Sequence, residues 1–110
     1  MPIAEEKEVQ IGDKPFTVLN FETTPIMSTY LVAFCVGDFD YVEGFATIDS
    51  KKVICRTYTL RGKKELGRFS LETGIKVLEF FSEFFDIPYP LTKLDQIAVP
   101  AFSMGVLTLK

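Results

Sequence analysis

Four apolar segments in the first sixty residues show the composition typical of β-strands, with Phe, Val, Ile, Tyr and Thr at most positions. They cover residues 16–23, 28–37, 39–48 and 51–60, the third being interrupted at Gly44. Because short turn-forming stretches join them, the pattern predicts an antiparallel meander. Residues 1–15 are mostly polar and are predicted to be irregular.

The second segment, residues 28–37, is almost continuously apolar, which predicts a strand covered on both faces. Cys35 lies in this segment and Cys55 in the fourth one. Two cysteines in apolar strand patterns, without a secretory context, favour reduced and buried thiols over a disulfide.

From about residue 63 to residue 85 the apolar period changes to that of a helix. One face carries Leu71, Ile75, Leu78, Phe81 and Phe85, and it is widened by Val77, Phe80 and Phe84. The polar positions Glu72, Lys76, Glu79 and Glu83 form one narrow stripe, which is predicted to face solvent. Apolar positions occupy more than half of the helix circumference. The rest of the chain is therefore expected to be too small to bury all of them.

The stretch "DIPYP" ends the helix, since each proline disfavours helical geometry in the residue before it. A strand is predicted at residues 94–99, and the chain then bends around Gly105 into a second short apolar stretch. The adjacent phenylalanine pairs could line a ligand pocket, but packing in a core is the favoured interpretation. The glutamates of the polar stripe could form an acid/base set, but no apolar neighbours are expected to raise their pKa values.

Charge and histidine content exclude several functional classes. The net charge of −3 and a pI near 4.9 disfavour nucleic-acid and anionic-membrane partners, and the basic run at residues 61–64 is interpreted as a solvated loop. The chain has no histidine, which excludes Ser-His and Cys-His nucleophilic pairs and a His-rich catalytic zinc site. The acidic start and the short apolar runs predict a soluble, cytoplasmic protein.

Three stretches closely resemble the gluzincin aminopeptidases, and specifically their puromycin-sensitive branch. They are "TPIMSTYLVAFCVGDFDYVE" at residues 24–43, "GKKELGRFSLETGIKVLEFFSEFFDIPYPLTKLDQIAVPAF" at residues 62–102, and the terminal "GVLTLK". The resemblance covers most of the chain from about Phe21 onwards.

This resemblance implies an α+β fold that straddles two domains. Residues 1–45 would be the antiparallel end of the family's N-terminal β-saddle domain. Residues 46–110 would form the strand, long helix and strand that begin a thermolysin-like catalytic domain, truncated in this chain.

The family removes N-terminal residues from peptides with a zinc ion held by an HExxH helix and a downstream Glu. Its exopeptidase motif, Gly-Ala-Met-Glu-Asn, would come after Met104, with Gly105 matching either the first Gly of the motif or the Gly after the Trp that follows it. The Glu of this motif binds the free amino group of the substrate. In "AFSMGVLTLK" several residues of that motif are missing around Gly105, so the resemblance transfers no catalytic residue, metal ligand or cofactor to this chain. It implies only that Ala101, Phe102, Ser103 and Met104 are remnants of the floor of the substrate cleft.

Two functional hypotheses follow. In the first, the chain is a catalytically inactive aminopeptidase segment whose apolar helix and sheet edge self-associate or bind a protein partner. In the second, it is a small β-rich interaction module that captures a partner by strand addition or through its helix. A metal-free hydrolase that uses carboxylates is set aside.

Overall fold

The computed structural model describes residues 1–100, and these divide into two compact units, Met1–Gly37 and residues 38–100. The first unit contains an antiparallel hairpin of β1 (Ile3–Ile11) and β2 (Lys14–Phe21). Its strands are joined at Gly12 and Asp13, where Gly12 adopts a φ of 63° that a residue without a Cβ reaches at no steric cost.

The prediction that residues 1–15 are irregular is wrong, because β1 runs through most of them. Four consecutive charged residues, 5–8, interrupt the apolar pattern of this strand, and backbone pairing with β2 defines it instead. A polar contact supports the pairing: Asn20 of β2 donates a hydrogen bond to Glu5 at 3.0 Å. Within β1, Glu5 also forms an ion pair with Lys7 at 2.8 Å.

The predicted strand at residues 28–37 is also wrong. The segment contains a short 3₁₀ turn, Thr29–Leu31, and is otherwise irregular, with Phe34 and Val36 86% and 98% exposed. A strand covered on both faces needs neighbouring strands and two packing layers, and the part of this unit that the structure describes contains only the hairpin. Cys35 is consequently exposed, contrary to prediction, whereas Cys55 is buried as predicted, and both thiols are free.

The second unit contains a three-stranded sheet in the order β3-β4-β5, formed by Phe39–Ile48, Lys51–Leu60 and Lys93–Ile97. Strands β3 and β4 form an antiparallel hairpin through Asp49 and Ser50, which both adopt positive φ angles, as a type I′ turn requires. Strand β5 pairs with β4 in parallel. The predicted single meander is therefore wrong, since the strands divide between two sheets.

A helix connects the two parallel strands, as their direction requires. Helix α1 (Arg68–Phe84) follows a 3₁₀ turn at Lys64–Gly67, and together they confirm the predicted helix to within its end residues. The mixed sheet and the helix confirm the predicted α+β class.

The core of this unit lies between α1 and one face of the sheet. Its buried apolar residues are Val42, Ala46, Ile48, Val53, Cys55 and Leu71, with Ile75, Leu78, Tyr89 and Leu94 packed against them. Gly44 allows the close approach of the helix, because a Cβ at this position would lie 2.8 Å from Cδ1 of Ile75. The opposite face of the sheet carries the aromatic pair Tyr41 and Tyr58.

Candidate functional site

The four predicted cleft-floor residues, Ala101, Phe102, Ser103 and Met104, lie outside the described residues, as does Gly105. The structure does describe the chain that leads to them. Beyond β5, the backbone N–H of Ala98 donates a hydrogen bond to the carbonyl of Tyr58 at 2.9 Å. The predicted site residues thus follow directly on a segment that is held to the sheet.

A cavity of about 370 Å³ opens where β5 ends, between β4, the first turn of α1 and residues 97–100. Three polar side chains at its wall bond to one another. The hydroxyls of Thr57 and Ser70 both donate to the amide oxygen of Gln96, at 2.8 Å and 3.0 Å. This polar cluster, defined by Thr57, Ser70 and Gln96, joins β4, α1 and β5.

The side chain of Gln96 also borders a second cavity, of about 390 Å³ and mostly apolar, below the C-terminal half of α1. Its amide lies against Gly74 of the helix, where a Cβ would come within 2.7 Å of Nε2. Sequence reasoning missed this cluster. One signal in the sequence pointed to it: a glycine inside a helical pattern lowers helix stability, and such a glycine often lies where another group packs closely against the helix.

A third cavity, of about 490 Å³, is acidic, with Asp49, Glu79, Glu83 and Asp86 around it. Glu79 does not simply face solvent as predicted: it is half-buried and accepts a hydrogen bond of 2.8 Å from the backbone N–H of Thr47. Glu72, Lys76 and Glu83 are exposed as predicted. No group of three His, Cys, Asp or Glu residues in residues 1–100 is placed to hold a metal ion.

Burial keeps two ionisable groups, the buried Cys55 and the half-buried Tyr89, in their neutral forms, which are poor nucleophiles. Burial raises the pKa of the Cys55 thiol, which donates a weak hydrogen bond to the carbonyl of Val53. Burial also raises the pKa of Tyr89, whose hydroxyl donates to the carbonyl of Lys93 at 3.3 Å. Both contacts are typical of satisfied groups at the edge of a core.

Charged pairs lie on the face of the sheet opposite α1. Arg56 donates to Glu43 at 2.6 Å, and this hydrogen bond raises the pKa of the guanidinium above its ordinary value. Lys93 pairs with Asp95, whose second carboxylate oxygen is buried and has no partner within residues 1–100. These pairs order the strands and bring no reactive group to a cavity.

The C-terminal half of α1 and the residue after it, Phe85, expose a group of large apolar side chains. Val77, Phe80, Phe81, Phe84 and Phe85 are between 44% and 67% exposed. The four phenylalanine rings pack in pairs with centroids 5.0–5.7 Å apart, two pairs being stacked and the other two tilted or edge-to-face. The described helices include none that is long and apolar enough to cross a membrane.

Comparison with known proteins identifies the relatives of this chain. Residues 69–108 match the peptidase family M1 domain, a range that begins in α1 and runs beyond β5. The chain is 48% identical over 97% of its length to aminopeptidase M1-D of Oryza sativa subsp. japonica. It is 47% identical over 97% to aminopeptidase M1 of Arabidopsis thaliana. It is also 43% identical over 91% of its length to the puromycin-sensitive aminopeptidase of Caenorhabditis elegans.

The resemblance to the aminopeptidases, including the puromycin-sensitive branch, is confirmed. The chain spans only 12%, 11% and 10% of the lengths of these three relatives, respectively. The similarity therefore identifies the kind of protein to which this segment is related, and the activity of the whole relative is a separate matter.

Proposed function

We propose that this chain is an aminopeptidase segment with a scaffolding role, and that it has no peptidase activity by itself. In an M1 aminopeptidase, its β4-α1-β5 unit would support one wall of the cleft in which the N-terminal residue of a peptide is removed. The observation that carries this proposal is the identity of 48% over 97% of the chain to a plant aminopeptidase.

The absence of histidine supports the inactivity of the isolated chain. Catalytic zinc in hydrolases is held mainly by histidine and carboxylate side chains, and a zinc aminopeptidase of the gluzincin type needs two histidines. Zinc would therefore be the cofactor of the whole aminopeptidase, with ligands supplied by other sequence. Its substrates would be peptides, and the proposed location is the cytoplasm.

Two chimeras of the Arabidopsis aminopeptidase M1 test both parts of the proposal. In the first, residues 38–100 of this chain replace the matching segment, and the relative keeps its own sequence beyond that point. We expect this chimera to fold and to hydrolyse aminoacyl-aminomethylcoumarin substrates. A folded, zinc-loaded but inactive first chimera would contradict the scaffolding role.

The second chimera extends the replacement to residue 110. We expect it to be inactive while binding zinc like the first, because residues 101–110 lack the Glu that would grip the substrate's amino group. Full activity of this chimera would contradict the proposed inactivity. The isolated chain, assayed with added Zn²⁺, is expected to release no coumarin above the rate of the buffer.

The exposed half of α1 favours a second candidate function, a protein-interaction module. Monomeric proteins rarely expose contiguous apolar patches above a few hundred Å², and five large neighbouring apolar side chains here are each about half exposed. In this proposal the chain self-associates or binds a protein through α1 and an edge of the three-stranded sheet. Size-exclusion chromatography with light scattering over a dilution series tests it, and a monomer at all concentrations without binding of an apolar dye would contradict self-association.

The proposed division of the chain at residues 45 and 46 carries over from the family resemblance. It falls inside β3, whereas the compact units meet at Gly37 and Asp38. Limited proteolysis of the first chimera tests the division, because a domain junction is cut more readily than a paired strand.

A further inference from the structure

The amide of Gln96 is the point at which three secondary-structure elements meet. Its oxygen accepts hydrogen bonds from Thr57 of β4 and Ser70 of α1, while Gln96 itself belongs to β5. Thr57 is 3% exposed, so the bond to β4 lies within the packed part of the unit. Buried polar groups with their partners satisfied favour one arrangement of the surrounding elements.

The position of Gln96 along β5 gives this cluster its significance. Strand β5 is short, and past Gln96 it is held to the sheet by the pairing of Ile97 with Tyr58 and by the hydrogen bond from Ala98 to Tyr58. Residues 97–100 then line the first cavity together with Gln96. Among the described residues, the amide thus makes the last side-chain hydrogen bond between β5 and α1 before the chain leaves the sheet.

We propose that Gln96 is a positioning residue, which fixes the direction in which the chain leaves β5 towards the cleft floor of an aminopeptidase. The inference rests on the proposed function for its consequence in catalysis, but not for its structural part. Gln96 does not touch the reacting atoms, and it acts through residues 97–100. The step that this positioning would support is recognition of the N-terminal end of a peptide substrate.

Gly74 is the second part of this arrangement. It is half-buried in the middle of α1, where alanine would ordinarily stabilise a helix. Here an added Cβ would lie 2.7 Å from Nε2 and 3.3 Å from Cδ of Gln96, so the amide would have to move. The absence of a side chain at Gly74 therefore leaves the space in which the Gln96 amide can accept hydrogen bonds from the two hydroxyls.

Amide hydrogen exchange in the full 110-residue chain tests the structural part. The readout is the exchange rate of the Ala98 amide relative to that of Ile54, which donates to the carbonyl of Thr92 at the other end of the β4-β5 pair. In Gln96→Ala and in Gly74→Ala we expect this ratio to rise on the order of tenfold, as loss of two neutral hydrogen bonds implies. A general loss of stability would raise both rates together and leave the ratio unchanged.

The matched control is Lys76→Ala, an exposed position on the same helix, which should leave the ratio unchanged. The double variant Gly74→Ala with Gln96→Ala should show a ratio no higher than Gln96→Ala alone, because the amide that the added methyl group would displace is already gone. An unchanged ratio in both single variants would overturn the proposal, as would additive effects in the double variant.

The catalytic part is tested in the first chimera, where Gln96→Ala should raise KM for a peptide substrate while kcat changes less. A lowered kcat at constant KM would overturn the positioning role. If the chimera is inactive before substitution, the proposed function fails and the exchange experiment still decides whether Gln96 holds the strand.

Discussion

The two halves of α1 are built from similar residues but have different surroundings. In the N-terminal half, Leu71 is 8% exposed and Ile75 packs against the core, close to Gly44 of β3. In the C-terminal half, Phe80 and Phe84 are 56% and 67% exposed. An apolar helix face is therefore stable only where other residues bury it. How much of the face is buried depends on how far the neighbouring strands extend.

This difference has a simple structural origin. Strand β3 ends at Ile48 and β5 begins only at Lys93, so the sheet offers its packed face mainly to the first turns of the helix. The remaining turns border the open apolar cavity beside Ile87, Pro88 and Tyr89. The comparison predicts that substitutions of equal chemical size have unequal consequences in the two halves.

The largest effect is expected for Leu71→Ala. Removing this side chain from the core should lower the free energy of unfolding by about 2–5 kcal/mol, through lost burial and the cavity left behind. Urea denaturation followed by circular dichroism measures the change. The matched control is Phe84→Ala on the exposed half, which should change stability by less than about 1 kcal/mol, and similar losses in both variants would remove the distinction.

The next largest effect is expected for Gly44→Ala, which crowds the contact between β3 and the N-terminal half of α1. The added Cβ would meet Cδ1 of Ile75, and overpacking of this kind costs about 1–3 kcal/mol. Combining it with Ile75→Val removes the clashing atom. The double variant should therefore be more stable than the sum of the single effects predicts, and strict additivity in a denaturation series would contradict the contact.

A smaller effect is expected for Glu79→Ala, at the junction of the two halves. This substitution removes the acceptor for the Thr47 N–H, and a hydrogen bond to a charged group in a partly exposed site contributes about 1 kcal/mol. Thermal unfolding measures it against Glu83→Ala, a neighbouring exposed glutamate as control. Equal melting temperatures for the two variants would show that the bond contributes nothing.

The smallest change in stability is expected for Phe80→Ser combined with Phe84→Ser, since both side chains are more than half exposed. The free energy of unfolding of the monomer should change by less than about 1 kcal/mol. Self-association, followed by sedimentation velocity over a dilution series, should nevertheless weaken. Unchanged association would place the contact surface elsewhere.

Local pattern was sufficient to predict the elements whose partners are close in sequence. The β3-β4 hairpin, its turn at Asp49 and Ser50, and the helix were all predictable, since turn residues and periodicity specify them. Residues 28–37 were mispredicted because their apolar pattern is typical of a strand buried between neighbouring elements. The described unit does not contain those elements. The first strand was missed because β1 depends on pairing with β2 and because the charged run at residues 5–8 interrupts its apolar pattern.

The same limit applies to the candidate site. The cluster of Thr57, Ser70 and Gln96 joins residues 26 and 39 positions apart, and no local pattern specifies such a contact. The cleft-floor residues 101–104 came from family resemblance and stay a prediction. The zero histidine count, by contrast, needed no structure to exclude whole classes of catalytic site.

The parallel pairing of β4 with β5 also has a consequence for the order of folding. The β3-β4 hairpin can close as soon as Leu60 has been synthesised, whereas β5 must wait for the whole of α1 and the loop beyond it. Contacts between residues distant in sequence form slowly because a longer loop has to be closed first. We therefore expect pulse-labelled amides of β3 and β4 to be protected before those of β5, so that the parallel strand joins the sheet only after the hairpin has formed.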